Sequence, residues 1–98
     1  MPNRYYEFEW DDFNSGKNLQ KRGVSDLEIE QVFSNPYVIM EHKRFPDRKI
    51  VLGVTHGGRY LFMSIQHLSK ICCRPIHARD MKKGEKKAYM KVIGIDRR

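Results

Sequence analysis

Residues 37–79 read YVIMEHKRFPDRKIVLGVTHGGRYLFMSIQHLSKICCRPIHAR, and this stretch decides the fold class. It contains four β-rich runs separated by turn signals, at residues 37–42, 49–55, 59–66 and 70–79. The clearest turn is His56-Gly57-Gly58, because glycine adopts the positive φ angles that tight hairpins require. Consecutive strands joined by short turns pair in antiparallel fashion, so the stretch predicts a four-stranded meander.

The first residues of the chain have the pattern of another strand. Tyr6, Phe8 and Trp10 alternate with two glutamates. Since successive side chains of a strand point to opposite faces, this period-two pattern predicts an N-terminal strand with one buried aromatic face.

Two short helices are expected between this strand and the meander. Asp11 or Asp12 is predicted to cap the first, which runs to about residue 21 and ends at Gly23. The second begins with a capping box at residues 25–28, SDLE, and Asn35-Pro36 stops it.

The chain is expected to close with a third helix, capped by Asp80. Its apolar residues recur at helical spacing and are Met81, Ala88, Tyr89 and Val92. Helices that precede and follow a mostly antiparallel sheet define an α+β fold. A chain of 98 residues without repeats is predicted to form a single domain over residues 1–98.

The positive charge of the chain is concentrated in its second half. The net charge is +7, from 19 basic and 12 acidic residues. Residues 1–45 carry six basic and eight acidic groups, whereas residues 70–98 carry ten basic and three acidic groups. Such a patch attracts polyanions such as nucleic acid, although a solvated helix face of a small protein has the same composition.

Several classes of protein are excluded by composition. Cys72 and Cys73 are adjacent, which rules out a disulfide framework and predicts one buried and one outward-facing thiol in a strand. The four histidines lack the spacing of zinc ligands, so no metal and no cofactor are expected. The apolar runs are too short to cross a membrane and no leader opens the chain, so a cytoplasmic protein is expected.

The candidate chemistry lies in residues 74–79, RPIHAR, and in Glu85 on the last helix. His77 and Arg79 are two residues apart, so a strand projects both from one face. Pro75 cannot donate a ladder hydrogen bond and indicates an edge strand or a bulge. Glu85 falls on the apolar side of its helix, where a carboxylate requires a partner such as Arg79.

These residue types suit two different functions. RNA cleavage without a metal needs a base for the 2′-OH proton, an acid for the leaving oxygen and cations for the phosphorane charge. His77, Glu85, Arg74, Arg79 and Lys21 include those types. Arginines also bind phosphate without reacting, and an Arg–Glu pair is often only structural. The alternative is therefore a non-catalytic module that binds nucleic acid or a protein through the basic C-terminal surface.

A set of residues spread over about residues 6–90 resembles the BrnT toxin family. The matching positions are Phe8-Glu9-Trp10-Asp11, Asn18, Lys21, Gly23-Val24, Val32-Phe33, Asn35-Pro36, Arg48, Gly53, Ile76, Ala78-Arg79, Glu85 and Tyr89. The resemblance implies a RelE-like fold and a metal-independent ribonuclease toxin of a type II toxin–antitoxin pair, which inhibits translation and growth. It also implies a BrnA-like antitoxin with a ribbon-helix-helix DNA-binding domain.

Two positions depart from the family pattern. The family usually has Lys-His where this chain has Lys21-Arg22, and it favours serine where this chain has His77. Arginine does not act as a base near neutral pH, so an imidazole is lost at one point and present at another. His77 is then either a relocated catalytic group or the mark of a diverged nuclease.

The sequence thus predicts an RNA-cleaving toxin with two sets of functional residues. In the catalytic set, His77 or Glu85 moves protons while Arg79 neutralises phosphate. The predicted RNA-binding set is Lys21, Arg22, Arg74, Lys82, Lys83 and Lys86.

Overall fold

A computed structural model describes residues 5–94, and the ends of the predicted domain, residues 1–4 and 95–98, lie outside this part. The elements in chain order are β1 (Glu7–Phe8), α1 (Lys17–Arg22), α2 (Asp26–Val32), β2 (Val38–Glu41), β3 (Arg48–Val54), β4 (Tyr60–His67), β5 (Cys72–Asp80) and α3 (Lys83–Ile93). The strands form one mixed sheet in the order β1-β5-β4-β3-β2. The predicted α+β fold is confirmed.

The four strands of the predicted meander pair as expected. β2, β3, β4 and β5 are antiparallel neighbours, and Gly58 takes a φ of 88° in the β3–β4 hairpin. The short β1 adds to the other side of β5 and runs parallel to it, with Phe8 opposite Cys73. The sequence indicates that β1 is a strand, but its place in the sheet depends on contacts with a segment more than 60 residues away.

One face of the sheet, α2 and the residues on either side of α2 enclose the core. Its fully buried members include Val24, Ile29, Val32, Val51, Leu61, Met63, Ile65 and Ala78. The capping box of α2 is present, because the Glu28 N–H donates to Ser25 Oγ at 3.1 Å and the Ser25 N–H donates to Glu28 Oε1 at 3.0 Å. Gly23 ends α1 in a left-handed conformation, as predicted.

Gly53 is where α2 packs closely on β3. A Cβ at this position would overlap Val32 Cγ1 and would approach Tyr37 Cβ to 3.3 Å. Gly53→Ala is therefore expected to lower the free energy of unfolding by about 2 kcal/mol through overpacking, with a loss of roughly 10 °C in Tm. Thermal unfolding followed by circular dichroism measures the change.

Gly57→Ala is the matched control, because a Cβ there meets only Thr55 Oγ1, at 3.9 Å. It should leave the melting temperature close to that of the wild type. An equal loss in both variants would show that close packing at Gly53 is not the cause.

Two expectations for the N-terminal segment are wrong. The first helix begins at Lys17 rather than after Asp11 or Asp12, and Asp11 Oδ1 instead accepts a hydrogen bond from the Phe13 N–H at 2.8 Å within a turn. The buried aromatic face also differs from the predicted one, because Tyr6 is 62% exposed whereas Tyr5 is buried. The strand is so short that its alternation does not extend to Tyr6.

The start of the last helix also differs from expectation. β5 continues through Asp80, and the helix begins at Lys83. Arg59 Nε donates to Asp80 Oδ1 at 2.6 Å, so this carboxylate holds an arginine instead of capping α3. Tyr89 is buried as predicted, but Ala88 and Val92 are exposed because α3 covers only part of the sheet.

The cysteines behave as the strand alternation predicts. Cys73 is fully buried and Cys72 is half-buried, and desolvation raises the pKa of both thiols. Within residues 5–94, none of the helices has the length and apolar character needed to cross a membrane.

Candidate functional site

α1 takes the place of a neighbouring strand along the second half of β5. Beyond the short β1, Asn14 Nδ2 donates to the Pro75 carbonyl at 2.9 Å. Asn18 Nδ2 donates to the Ile76 carbonyl at 3.2 Å, and Asn18 Oδ1 accepts from the Ala78 N–H at 2.9 Å. The buried Asn18 side chain thus pairs with β5 as a backbone amide would, and this fixes α1 beside the strand.

Arg59 fixes the other end of α1. Its Nη1 donates to the Gly23 carbonyl at 2.8 Å, and its Nε and Nη2 bind Asp80 at 2.6 and 3.2 Å. Nη1 also lies 3.4 Å from Glu28 Oε2. One guanidinium therefore joins the end of α1, the start of α2 and the end of β5, and it places the last turn of α1 next to the sheet.

A β-bulge changes which side chains of β5 share a face. Ser64 lies opposite His77 and Gln66 lies opposite Arg74, while Ile76 is the extra residue. Because Ser64 and Gln66 are two apart on β4, Arg74 and His77 project from the same face although they are three apart. Pro75 sits at this bulge, which is one of its two predicted settings. β5 is an inner strand in the sheet order, but β1 pairs only with Cys72 and Cys73, so Pro75 has a strand on one side alone.

The basic pocket lies between α1 and this face of the sheet, and its volume is about 510 Å³. Its polar and charged lining residues are Asn14, Lys17, Asn18, Gln20, Lys21, Arg48, Gln66, Arg74 and His77. The pocket brings together three of the predicted residues, Lys21, Arg74 and His77. Lys17 and Arg48 were missed as site residues, because only the packing of α1 and the pairing of Arg48 with Gln66 bring them here.

His77 is held in a positively charged environment at this pocket. Desolvation lowers the pKa of its imidazole, and the charges of Arg22, Arg48 and Lys21 lower that pKa further. A neutral imidazole accepts a proton, so His77 is equipped to act as a base at neutral pH.

Arg74 lines the same pocket, but carboxylates already compensate its charge. Its Nη1 lies 2.7 Å from Asp11 Oδ2 and 3.1 Å from Glu9 Oε1, and its Nη2 donates to Asp11 Oδ1 at 2.9 Å. The hydrogen bonds from Arg74 are the main cause that lowers the pKa of Asp11 to about 2. A phosphate that approaches Arg74 therefore competes with two carboxylates.

Arg79 and Glu85 form a bidentate ion pair next to the basic pocket. Nη1 and Nη2 of Arg79 each donate to a different Glu85 oxygen at 2.8 Å, and the guanidinium lies 4.1 Å over the Phe62 ring. Glu85 Oε1 also accepts the Lys82 N–H at 2.8 Å, so it links the start of α3 to β5. The hydrogen bonds from Arg79 lower the pKa of Glu85, which keeps the carboxyl group ionised and unable to donate a proton.

The remaining predicted RNA-binding residues fall into two places. Arg22 is the last residue of α1, and its positive charge contributes to the lowered pKa of His77. Lys82, Lys83 and Lys86 are exposed around the start of α3, where Lys86 Nζ lies 4.4 Å over the Tyr60 ring. Among residues 5–94 no group of three or more His, Cys, Asp or Glu side chains is placed to hold a metal ion.

A known protein family matches most of the residues that the structure describes. No curated protein matches the chain. A family model described as "Ribonuclease toxin, BrnT, of type II toxin-antitoxin system" matches residues 10–85, a span that includes α1, the whole of β5 and the Arg79–Glu85 pair. A ribonuclease toxin of this kind has an RNA target and an antitoxin partner. The chain belongs to the BrnT family of ribonuclease toxins of type II toxin–antitoxin systems.

Proposed function

We propose that this protein is a RelE-like, metal-independent endoribonuclease that cleaves RNA at the basic pocket between α1 and β5. The observation that carries the proposal is the position of His77, which lines the basic pocket together with Lys21 and Arg48. Desolvation and the charges of Arg22, Arg48 and Lys21 lower the pKa of its imidazole there. Cleavage of an RNA phosphodiester needs a neutral base and positive charge in one place. This pocket supplies both.

In the proposed reaction, His77 accepts the proton of a ribose 2′-OH. The 2′-oxygen then attacks the adjacent phosphorus, and the bond from phosphorus to the 5′-oxygen breaks. Lys21 donates a proton to this leaving oxygen, and Arg48 stabilises the charge that develops on the phosphorane. The products are a 2′,3′-cyclic phosphate and a free 5′-hydroxyl.

Arg79 is the second phosphate-binding group in this proposal, because Glu85 and the Asp80 carbonyl take three of its five N–H groups and leave two that can donate to a phosphate. A phosphate competes there with one carboxylate, against two at Arg74. Glu85 is the positioning residue of Arg79. The bidentate contact orients the guanidinium, and the Phe62 ring supports it from below. Because Glu85 stays ionised, we assign proton transfer to His77 rather than to Glu85. Lys82, Lys83 and Lys86 would extend the basic surface along the RNA strand.

We further propose that the antitoxin partner carries a ribbon-helix-helix domain and that the toxin acts in the cytoplasm, where it arrests growth by stopping translation. Expression of the chain with and without the adjacent gene tests this part. Growth arrest that the neighbouring gene relieves would support the pairing, and an absence of growth arrest in both strains would contradict it.

Purified protein incubated with RNA and a metal chelator tests the proposed reaction. Arg79→Ala is expected to lower the cleavage rate by about two to three orders of magnitude. Glu85→Gln should have a smaller effect, about tenfold, because the amide still contacts Arg79 with less charge. Lys91→Ala, an exposed lysine in the last turn of α3, is the matched control and should cleave at the wild-type rate.

The outcome that contradicts a nuclease is intact RNA at high concentrations of folded protein. Salt-sensitive RNA binding without cleavage would favour the non-catalytic binding module. Identification of the 2′,3′-cyclic phosphate by mass spectrometry separates the proposed reaction from hydrolysis by a contaminating nuclease with other products.

A further inference from the structure

On the face of the sheet that carries His77, side chains of neighbouring strands lie in rows. One row runs from His77 through Ser64 and Ile50 to Met40. Adjacent strands are roughly 5 Å apart, so Ile50 lies roughly 10 Å from His77. Apolar side chains at the far end of this row thus face the same side of the sheet as the proposed catalytic base.

Another pocket, of about 350 Å³, lies beside this row. Its lining residues are Met40, Glu41, His42, Lys43, Ile50 and Phe62. Lys49 Nζ contacts Glu41 Oε2 at 2.7 Å, so the acidic member of the lining is already paired. Phe62 is also the ring beneath Arg79, so this apolar pocket shares a wall with the proposed phosphate site.

We propose that the apolar pocket binds one nucleobase of the RNA, next to the phosphate that is cleaved. This inference rests on the proposed function. Bases of single-stranded RNA bind to aromatic and apolar surfaces, while lysine and arginine side chains contact the adjoining phosphates. Lys43 lines the pocket and Arg79 lies over its Phe62 ring, so such cations are present beside it.

His42 gives the pocket one oriented polar group. Its Nδ1 accepts the backbone N–H groups of Arg44 at 3.1 Å and of Phe45 at 3.2 Å. The proton of the neutral ring therefore lies on Nε2, which is left as a hydrogen-bond donor. Uracil, cytosine and guanine present a carbonyl oxygen, which has two lone pairs and accepts over a wide range of angles. Adenine accepts such a donor only at its ring nitrogens, each of which has a single lone pair in the plane of the base. The pocket is thus expected to favour a carbonyl-bearing base over adenine.

Uncleavable RNA tests this preference. In 2′-O-methyl heptamers of uridine, cytidine and adenosine, the methylated 2′-oxygen cannot attack phosphorus, so binding is measured without cleavage. Fluorescence anisotropy should show a lower Kd for the uridine and cytidine heptamers than for the adenosine heptamer. Met40→Ala is expected to weaken uridine-heptamer binding by about tenfold, because it removes one apolar wall of the pocket.

Two further variants make the test specific. His42→Asn keeps an acceptor for the backbone N–H groups but lacks Nε2, so it should bind the three heptamers with similar affinity. Leu68→Ala is the control for Met40→Ala, because Leu68 and Met40 are both 42% exposed and Leu68 lies outside the pocket. It should bind all three heptamers as the wild type does.

Uridine 5′-monophosphate provides an independent readout. Its addition should shift the NMR signal of the Met40 ε-methyl group more than adenosine 5′-monophosphate does. Equal binding of uridine and adenosine heptamers by the wild type, or wild-type affinity in Met40→Ala, would overturn the proposal. So would a Met40→Ala variant that binds RNA normally but loses the antitoxin, since the pocket would then bind the protein partner. A chain that binds the uridine heptamer here yet cleaves no RNA contradicts the nuclease proposal alone.

Discussion

His77→Gln is expected to lower the rate of RNA cleavage by about two to four orders of magnitude, the usual contribution of a general base. Glutamine is close to histidine in size and polarity but cannot accept a proton at neutral pH. Initial rates on a short fluorogenic RNA measure the loss. His56→Gln, which changes an exposed histidine in the β3–β4 hairpin, is the control and should cleave normally.

The pH dependence of cleavage should report the same imidazole. The base acts in its neutral form, so the rate is retained above the pKa of His77 and falls as the pH drops through it. Because partial desolvation and neighbouring cations lower the pKa of the exposed His77 side chain, the acid limb is expected below the ordinary histidine value of about 6.5. Arg48→Gln removes one of those cations and should move the limb to higher pH. A His77→Gln enzyme with the wild-type rate and pH profile would exclude His77 as the base.

Protonation of His77 should also lower the free energy of unfolding. Since the pKa is lower in the folded state, the unfolded chain binds more protons in the window between the two values. Stability is therefore present above the unfolded-state pKa and declines as the pH falls through the folded-state pKa. Stability and the cleavage rate are both expected to decline as the pH falls. Unfolding must therefore be measured alongside cleavage at each pH.

Asn18→Leu is expected to produce the largest loss of stability, about 3 kcal/mol. Leucine has the same branching at Cγ but leaves the Ile76 carbonyl and the Ala78 N–H without their side-chain partners. For a domain of this size the expected loss in Tm is roughly 15 °C. Urea unfolding followed by tryptophan fluorescence gives the free energy directly.

Leu19→Ala, on the same helix, separates this effect from a general weakening of α1. Leu19 is 54% exposed, so its truncation should change the melting temperature little. Asn18→Leu should also lower RNA affinity more than its effect on folding explains, because Lys17 and Lys21 depend on the attachment of α1 to β5. A stable Asn18→Leu variant with normal RNA binding would show that this attachment is not required.

The fold was predictable where short-range patterns are strong. The hairpin glycines, the Ser25–Glu28 capping box and the β-rich runs of the meander all correspond to observed elements, because each depends on residues within a few positions of one another. The start of α1 and the role of Asp80 were not predictable. Asp11 and Asp80 have the side chain of a helix cap, but distant arginines, Arg74 and Arg59, bind them instead.

The candidate site was predictable in its residue types more than in its arrangement. The partnership of Glu85 with Arg79 was expected from a carboxylate on an apolar helix face, and it is observed. The common face of Arg74 and His77 was not expected, because it requires a bulge whose position is set by pairing with β4. Period-two alternation alone would place these two side chains on opposite faces.

Composition, charge distribution and local periodicity were sufficient to predict an α+β fold with a basic C-terminal half and to identify His77, Arg79 and Glu85 as candidate functional residues. These features depend on residues that are close together in the sequence, so they can be predicted without the tertiary structure. The basic pocket arises from contacts between α1 and β5, about 60 residues apart, and the apolar pocket from rows of side chains on separate strands. Such contacts exist only after folding, because distant segments satisfy each other's hydrogen bonds and bury each other's apolar surfaces.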